Sequence, residues 1–331
     1  MARFSDFIKK DSSNLSKNAL PLLSKYLEQV WDSVPTDREL MNRASEYFEK
    51  IYPGTGALFT DSLKIAGVFD PEILFRGQPD EEYLLLPSIA RNGKLKQEGR
   101  LIRSLCQERP DVFGFHLKPV ERLALLQHYG IPTRLLDVTG NFLVALYFAC
   151  KKYYHDRDNK NGKVFIFFDM KPYNGIFPLM DAYADTYRIT NGKSILLDEF
   201  YSKAFEQPYF QNNSIYIRKY TDAKSRIQPF LFPVFVNPQY FSPRQFVQQS
   251  KFILFQNKLD LADKEKIVLQ SKIDPLPQES PLHKSFVIRG DHKEELLHEL
   301  ALLGVCTATL FPDGIDILCA EINKKVKKGG A

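Results

Sequence analysis

The chain has 331 residues, 44 % of them hydrophobic, with 26 Phe and 16 Tyr, so it can bury one large core or two ordinary ones. Its formal charge of +5 falls short of the dense Lys/Arg pattern of a dedicated nucleic-acid binder, and no run of about 18 apolar residues offers a membrane span. Cys106, Cys150, Cys306 and Cys319 form no C-x-x-C, and the His residues form no H-x-x-x-H beside a carboxylate, so neither a disulfide framework nor a metal site is expected.

Residues 1–70 read as an N-terminal helical region, followed by a second unit over 71–331. Leu15, Ala19, Leu22, Leu23, Tyr26, Leu27, Val30 and Trp31 recur at helical spacing. Pro35-Thr36-Asp37 is a stop and restart with Thr36 or Asp37 as N-cap, and Leu40, Ala44, Tyr47, Phe48 and Ile51 form a second stripe that ends at Pro53-Gly54. This apolar stripe is expected to pack on the main unit. The start Met1-Ala2-Arg3-Phe4 has no apolar leader, which fits a cytoplasmic protein.

From residue 72 the elements come quickly. Glu72–Arg76 reads as a short buried strand delivering Arg76 at its end. Helices are expected over 97–108 and 119–129, the second with Pro119 in its first turn and Gly130 just past its end. Ile131–Val138 reads as extended, and Thr139 or Asn141 can cap a buried helix from Phe142 to Tyr154. Lys163–Asp169 has the pattern of a central strand, apolar on both faces. The Tyr-, Asn- and Gln-rich stretch 171–230 reads as irregular. Strands follow at 231–236, 252–255 and 285–289, then a helix over 292–303 capped by Asp291 and stopped by Gly304, and a last helix from Phe311-Pro312-Asp313-Gly314 to residue 326. Without a β-α-β rhythm, the class is α+β, a mixed sheet with surrounding helices.

Two stretches pack polar side chains among apolar ones, and polar groups so placed must be paired if buried. In Phe75-Arg76-Gly77-Gln78, an Arg at a strand end stands beside a glycine with an open backbone N–H. Phosphate binding asks for that pair, although a turn with a structural salt bridge would show the same residues. The run His128–Thr139 contains His128 and Tyr129, which suit acid–base or orienting roles, with Thr133, Arg134 and Asp137. In an extended segment Thr133 and Asp137 share one face and Arg134 takes the other, so Arg134 and Asp137 are not simple partners. Asp137 with Thr139 also fits a helix start, and His128 a helix C-terminus. Arg244 and Gln248, four residues apart, offer a second guanidinium fork and an amide. The candidate catalytic residues are thus His128, Tyr129, Asp137 and Gln248. The candidate substrate-binding residues are Phe75, Arg76, Gly77, Gln78, Thr133, Arg134 and Arg244. Walker, G-x-G-x-x-G, G-x-S-x-G and H-E-x-x-H motifs are absent, which disfavours P-loop, Rossmann, α/β-hydrolase and zincin chemistry.

Taken together these residues resemble the FRG-domain family. The resemblance is carried by Phe75-Arg76-Gly77, Gln78, Leu86-Pro87-Ser88, Arg91, Glu98, the run Gln127–Asp137, Asn141, Ala145–Ala149 and Leu310-Phe311-Pro312-Asp313, across residues 72–320. Val138 stands where the family has an aromatic, and Ser250 where it has Gly, which argues against a positive φ at that point. A weaker, partial resemblance is to the arginine-type ADP-ribosyltransferases, in the apolar strand ending in aromatic-Arg-Gly. It implies Arg76 on an NAD phosphate, with Gly77 giving room. The rest of that pattern does not carry over: Gln248 and Gln249 stand where Glu-x-Glu would be sought, and Glu199, Glu206 and Asp137 are unranked substitutes.

Two functions stay open. The first, toward which the gathering of Arg, His, Tyr and Asp leans, is an enzyme acting on NAD or a related nucleotide, by ADP-ribosyl transfer or NAD cleavage, in a toxin or phage-defence setting. NAD would then be a substrate, and no cofactor is otherwise expected. The second is a non-catalytic module that binds a ligand or nucleic acid in the same pocket. A protein or nucleic-acid target fits either reading, a membrane neither, and the oligomeric state is not legible.

Overall fold

The structure is a computed structural model that describes residues 20–58, 72–152, 159–169, 177–211, 220–231, 234–239, 242–263 and 265–314. Helix α1 (Pro21–Ser33) has Pro in its first turn, and α2 (Asp37–Ile51) begins at Thr36 with a capping box. There Thr36 Oγ1 accepts from the Glu39 N–H at 3.3 Å, and the Glu39 carboxylate accepts from the Thr36 N–H at 3.0 Å. Both helices bury their apolar stripe in the core shared with the sheet, through Leu23, Tyr26, Leu40, Ala44 and Phe48. Leu15 and Ala19 lie outside the described residues.

Strand β1 (Glu72–Gln78) is followed by α3 (Glu98–Glu108) and α4 (Pro119–His128). Gly130 takes φ +79° and closes α4 in a Schellman arrangement, its N–H donating to Gln127 O and that of Ile131 to Leu126 O. Then come β2 (Leu135–Thr139), α5 (Phe142–Cys150) and β3 (Gly162–Asp169). Asn141 caps α5 by accepting from the Leu143 N–H at 2.9 Å, while Thr139 Oγ1 accepts from the Asn141 N–H at 3.0 Å. Asp137 takes no part in that cap, contrary to the helix-start reading, because it lies two residues further back in β2 with an exposed side chain.

The stretch expected to be irregular is mostly helical where it is described. It holds α6 (Phe177–Ala184), a turn of helix at Thr186–Ile189, the two-residue strand β4 (Ile195–Leu196), α7 (Leu197–Phe205) and Ala223–Ile227. Tyr183, Tyr187, Tyr201 and Tyr220, which give it a polar look in sequence, are all buried in the core. The chain continues through β5 (Val234–Val236), a short helix Pro243–Val247, and β6 (Ser250–Leu254). It ends with β7 (Leu259–Asp260), β8 (Val268–Leu269), β9 (His283–Ile288), α8 (Lys293–Leu302) and a turn of helix at Thr307–Leu310. Ser250 sits in β6, and the positive φ falls on Gln249 before it. Asp291 does not cap α8: its carboxylate accepts from Arg289 instead. The expected helix past Gly314 lies outside the described residues.

The fold is α+β. The main sheet has the order β5-β6-β2-β1-β3-β9, and each neighbouring pair is antiparallel, so the expected mixed sheet is an antiparallel one. A smaller sheet has the order β4-β8-β7. As its uninterrupted apolar run implied, β3 is central and buried on both faces. Val164, Ile166 and Phe168 join the core on one side, Phe165 and Phe167 the core on the other.

Helix α5 lies directly on the first of these faces. A Cβ on Gly77 would stand 1.8 Å from the Ala145 carbonyl oxygen, and one on Gly162 2.4 Å from that of Ala149. The glycine of Phe-Arg-Gly is therefore required by the approach of helix backbone to strand. Gly77→Ala is expected to lower stability by about 3 kcal/mol or more, read as a drop in the midpoint of denaturant unfolding, since rigid backbone stands in the way.

A second expectation concerns pH. Asp181 in α6 accepts from the Val120 N–H at the start of α4 at 3.2 Å, and burial pushes its carboxyl from 3.8 up to about 6. A group protonated more readily in the folded state stabilises at low pH and loses that contribution as pH rises through its folded value. Between pH 4 and about 6, stability relative to Asp181→Asn should fall as pH rises, as measured by paired melting curves.

Candidate functional site

The site is built where two strands part. Strand β1 pairs with β3 along its whole length, but with β2 only at Phe75–Thr139. Continued antiparallel pairing would set Gly77 opposite Asp137. Instead the Arg76 guanidinium reaches across and its Nη1 donates to the Asp137 carbonyl oxygen at 2.6 Å. A side chain thus replaces ladder bonds, and a cleft of about 370 Å³ opens beside it. Arg76 is not at the strand end as expected, but within β1 and opposite Phe165.

Both strands, α5, the Pro79–Arg91 connection and the Pro243–Val247 helix contribute to the lining. Its charged members are Arg76, Arg91, Arg244 and Asp137, three cations against one carboxylate. Arg91 is exposed and anchored, its Nε and Nη2 both donating to the Leu86 carbonyl. Tyr83 and Phe148 add aromatic surface, and Ala145 and Val144 close the side formed by α5. Gln78 is buried, and its Oε1 has no partner among the described residues. Gln248 is buried too, with its Nε2 donating to the Leu310 carbonyl at 2.8 Å, while Thr139 Oγ1 donates to the Gln248 carbonyl at 2.6 Å. These guanidinium groups stand around a small volume whose described lining holds one acid, a composition that suits phosphate or another compact anion.

Of the candidate residues, the structure brings Phe75, Arg76, Gly77, Gln78, Asp137, Arg244 and Gln248 to this cleft. Four others are elsewhere. Arg134 is 1 % exposed, its Nε donating to Glu98 Oε1 at 2.8 Å and its Nη2 to the other carboxylate oxygen. Its Nη1 donates to the Phe255 carbonyl and to Asn257, so its fork is spent inside the protein. Thr133 is buried, donates to Gln127 and accepts from the Leu135 N–H, a turn-fixing role. His128 closes α4 with its Nδ1 3.4 Å from Ser242 Oγ, and Tyr129 is 61 % exposed with its ring edge-on to Phe113. Neither lines the cleft. The substitutes Glu199 and Glu206 do not line it either, Glu199 being paired with Lys203. Among the lining residues that the candidate set missed, Arg91 adds a charge and Tyr83 and Phe148 add aromatic rings. For Arg91 and Phe148 a signal existed, since both fall within the residues that carry the family resemblance.

A family model described as FRG domain matches residues 71–158. The chain carries an FRG domain. No curated protein and no solved structure matches the chain. These comparisons do not support the weaker resemblance to ADP-ribosyltransferases. The cleft agrees with them on that point: its arginine lies inside the strand, and the expected room beside Gly77 is filled by α5. The FRG match ends before β3 begins but holds most of the cleft lining, from β1, β2, α5 and the Pro79–Arg91 connection, while Arg244, Gln248 and Ser250 complete it from later in the chain.

Two substitutions separate framework from site. Arg134→Met leaves Glu98 buried without its partner and should cost about 3–5 kcal/mol of stability. Asp137→Asn changes an exposed side chain and should stay within about 0.5 kcal/mol. Urea unfolding of both variants checks this.

Proposed function

We propose that the FRG-domain cleft binds a nucleotide, with its phosphate held among Arg76, Arg91 and Arg244. The observation that carries this reading is the convergence of these guanidinium groups on one cleft with a single opposing carboxylate. Arg forks match phosphate geometry and keep their charge at any physiological pH. Phe148 and Tyr83 supply ring surface of the kind on which a base or ribose rests. At about 370 Å³ the cleft stands at the small end of ligand pockets, room for one nucleotide unit. A dinucleotide such as NAD would leave its second half outside.

With NAD or a related ligand, Asp137 is the group positioned to do chemistry. A carboxylate near the anomeric carbon stabilises the positive charge that develops as the base leaves. A second reading, binding without bond cleavage, is favoured by one observation. Glycosidic chemistry ordinarily uses two carboxyl groups, and the lining holds one, with Gln248 tied to the Leu310 carbonyl.

The test is a thermal-shift and titration panel of the full chain with pyrophosphate, AMP, ADP-ribose, NAD and a short RNA. A ligand at about 100 times its Kd stabilises by about 2.7 kcal/mol, a readable shift. Nucleotides and pyrophosphate are expected to bind, and Arg244→Ala or Arg91→Ala to weaken them by about tenfold or more. Nicotinamide release from NAD that disappears in Asp137→Asn would establish the enzyme, whereas binding without release favours the module. A response to RNA alone would overturn the nucleotide reading.

A further inference from the structure

Arg244 differs from the other cleft arginines in what holds it. Arg76 and Arg91 donate to backbone carbonyls of Asp137 and Leu86. Arg244 instead lies with its Cζ 4.6 Å from the centroid of the Phe311 ring, a cation–π distance. Phe311 is buried, and its ring meets that of Phe148 edge-on at 6.2 Å between centroids. One aromatic residue therefore touches both a cation of the cleft and part of its apolar wall, while not lining the cleft itself. The residue before it, Leu310, accepts the Gln248 amide.

The choice of partner has a chemical consequence. A carboxylate behind Arg244 would occupy its donors and cancel its charge, lowering affinity for an anion. A ring face orients the guanidinium while leaving its net charge and its in-plane N–H donors for a ligand. Fixing the side chain beforehand also removes the rotamer entropy that a free Arg would lose on binding. Lys151 Nζ lies 4.4 Å from the same ring centroid, so Phe311 carries a second cation beside Arg244.

We propose that Phe311 is a positioning residue, holding Arg244 preorganised for the ligand's phosphate. This rests on the anion-binding reading of the cleft. It places a functional requirement in the C-terminal segment, well outside the FRG match at 71–158.

The experiment is a double-mutant cycle on pyrophosphate affinity, by isothermal titration calorimetry of the full chain. Wild-type binding tests the cleft reading itself, and its absence, together with silence toward nucleotides, would overturn that reading and this one with it. Given binding, Phe311→Leu, which keeps apolar bulk and removes the ring face, should weaken it about fivefold. In an Arg244→Ala background the same change should have no further effect. An equal loss with and without Arg244, or no loss at all, would show that Phe311 does not act through Arg244. Should Phe311→Leu fail to fold by circular dichroism, Phe311→Met replaces it in the same cycle.

Discussion

Helix Phe142–Cys150 lies so close to β1 and β3 that only glycine fits beneath it at residues 77 and 162. Much of the molecule follows from that contact. The helix is apolar on nearly all sides because other elements cover it: β1 and β3 below, α8 beside it, and Phe142 against Phe75 with ring centroids 5.4 Å apart. Being pressed onto β1, it sets one side of the gap where β1 leaves β2, and Val144, Ala145 and Phe148 line that side. The cleft is what remains when a helix is packed against a sheet that has been locally unzipped, with the Arg76 guanidinium spanning the opening.

The embedded polar residues of the two motif stretches turn out to have two different uses. Arg134 and Thr133 stabilise the entry to β2. Arg134 ties α3 to β2 and to the chain after β6, through Glu98, Phe255 and Asn257, with both members of the ion pair buried. Such a pair contributes less to net stability than its Coulomb energy suggests, but neither half can be removed alone without leaving a buried charge. Asp137, three residues on from Arg134, and Arg76 across from it line the cleft instead. Rigid buried pairs beside partly exposed charges are what holding a binding geometry requires, since the exposed groups inherit the fixed backbone of the buried ones.

Much of the framework was legible from residues alone. Helix periodicity and Thr36 located α2, Pro119 and Gly130 bounded α4, and an unbroken apolar run marked β3. What misled was polarity without context. The tyrosines between 177 and 230 look solvent-facing in sequence, yet Tyr183 and Tyr201 bring their hydroxyls to 3.3 Å from each other inside the core, and Tyr201 reaches the Arg226 carbonyl. Arg134 looked like a ligand-binding fork, because nothing in its neighbourhood of sequence announces Glu98, 36 residues earlier. Alternation along a strand did separate Arg134 from Asp137 correctly, since it depends only on local backbone geometry.

The cleft illustrates why a local motif is a partial account of a site. Phe-Arg-Gly supplies a strand with a bridging guanidinium and a glycine that admits a helix, and neither feature alone makes a ligand site. The opposing wall is Arg244 and Gln248, more than a hundred residues away in sequence and brought alongside by the pairing of β6 with β2 from Leu135–Leu254 to Thr139–Ser250. That pairing is held at its cleft end by Thr139 Oγ1 on the Gln248 carbonyl, and Gln248 in turn reaches the Leu310 carbonyl. A chain of contacts therefore runs from β2 through Gln248 to the C-terminal segment, whose Phe311 ring faces Arg244. The matched FRG segment fixes the position of one cation-bearing wall, and the distance to the other is set by strand register and by packing at the far end of the chain. Changes in that distal segment can reshape the cleft without touching Phe75, Arg76 or Gly77, so the motif identifies the scaffold without by itself defining the cleft.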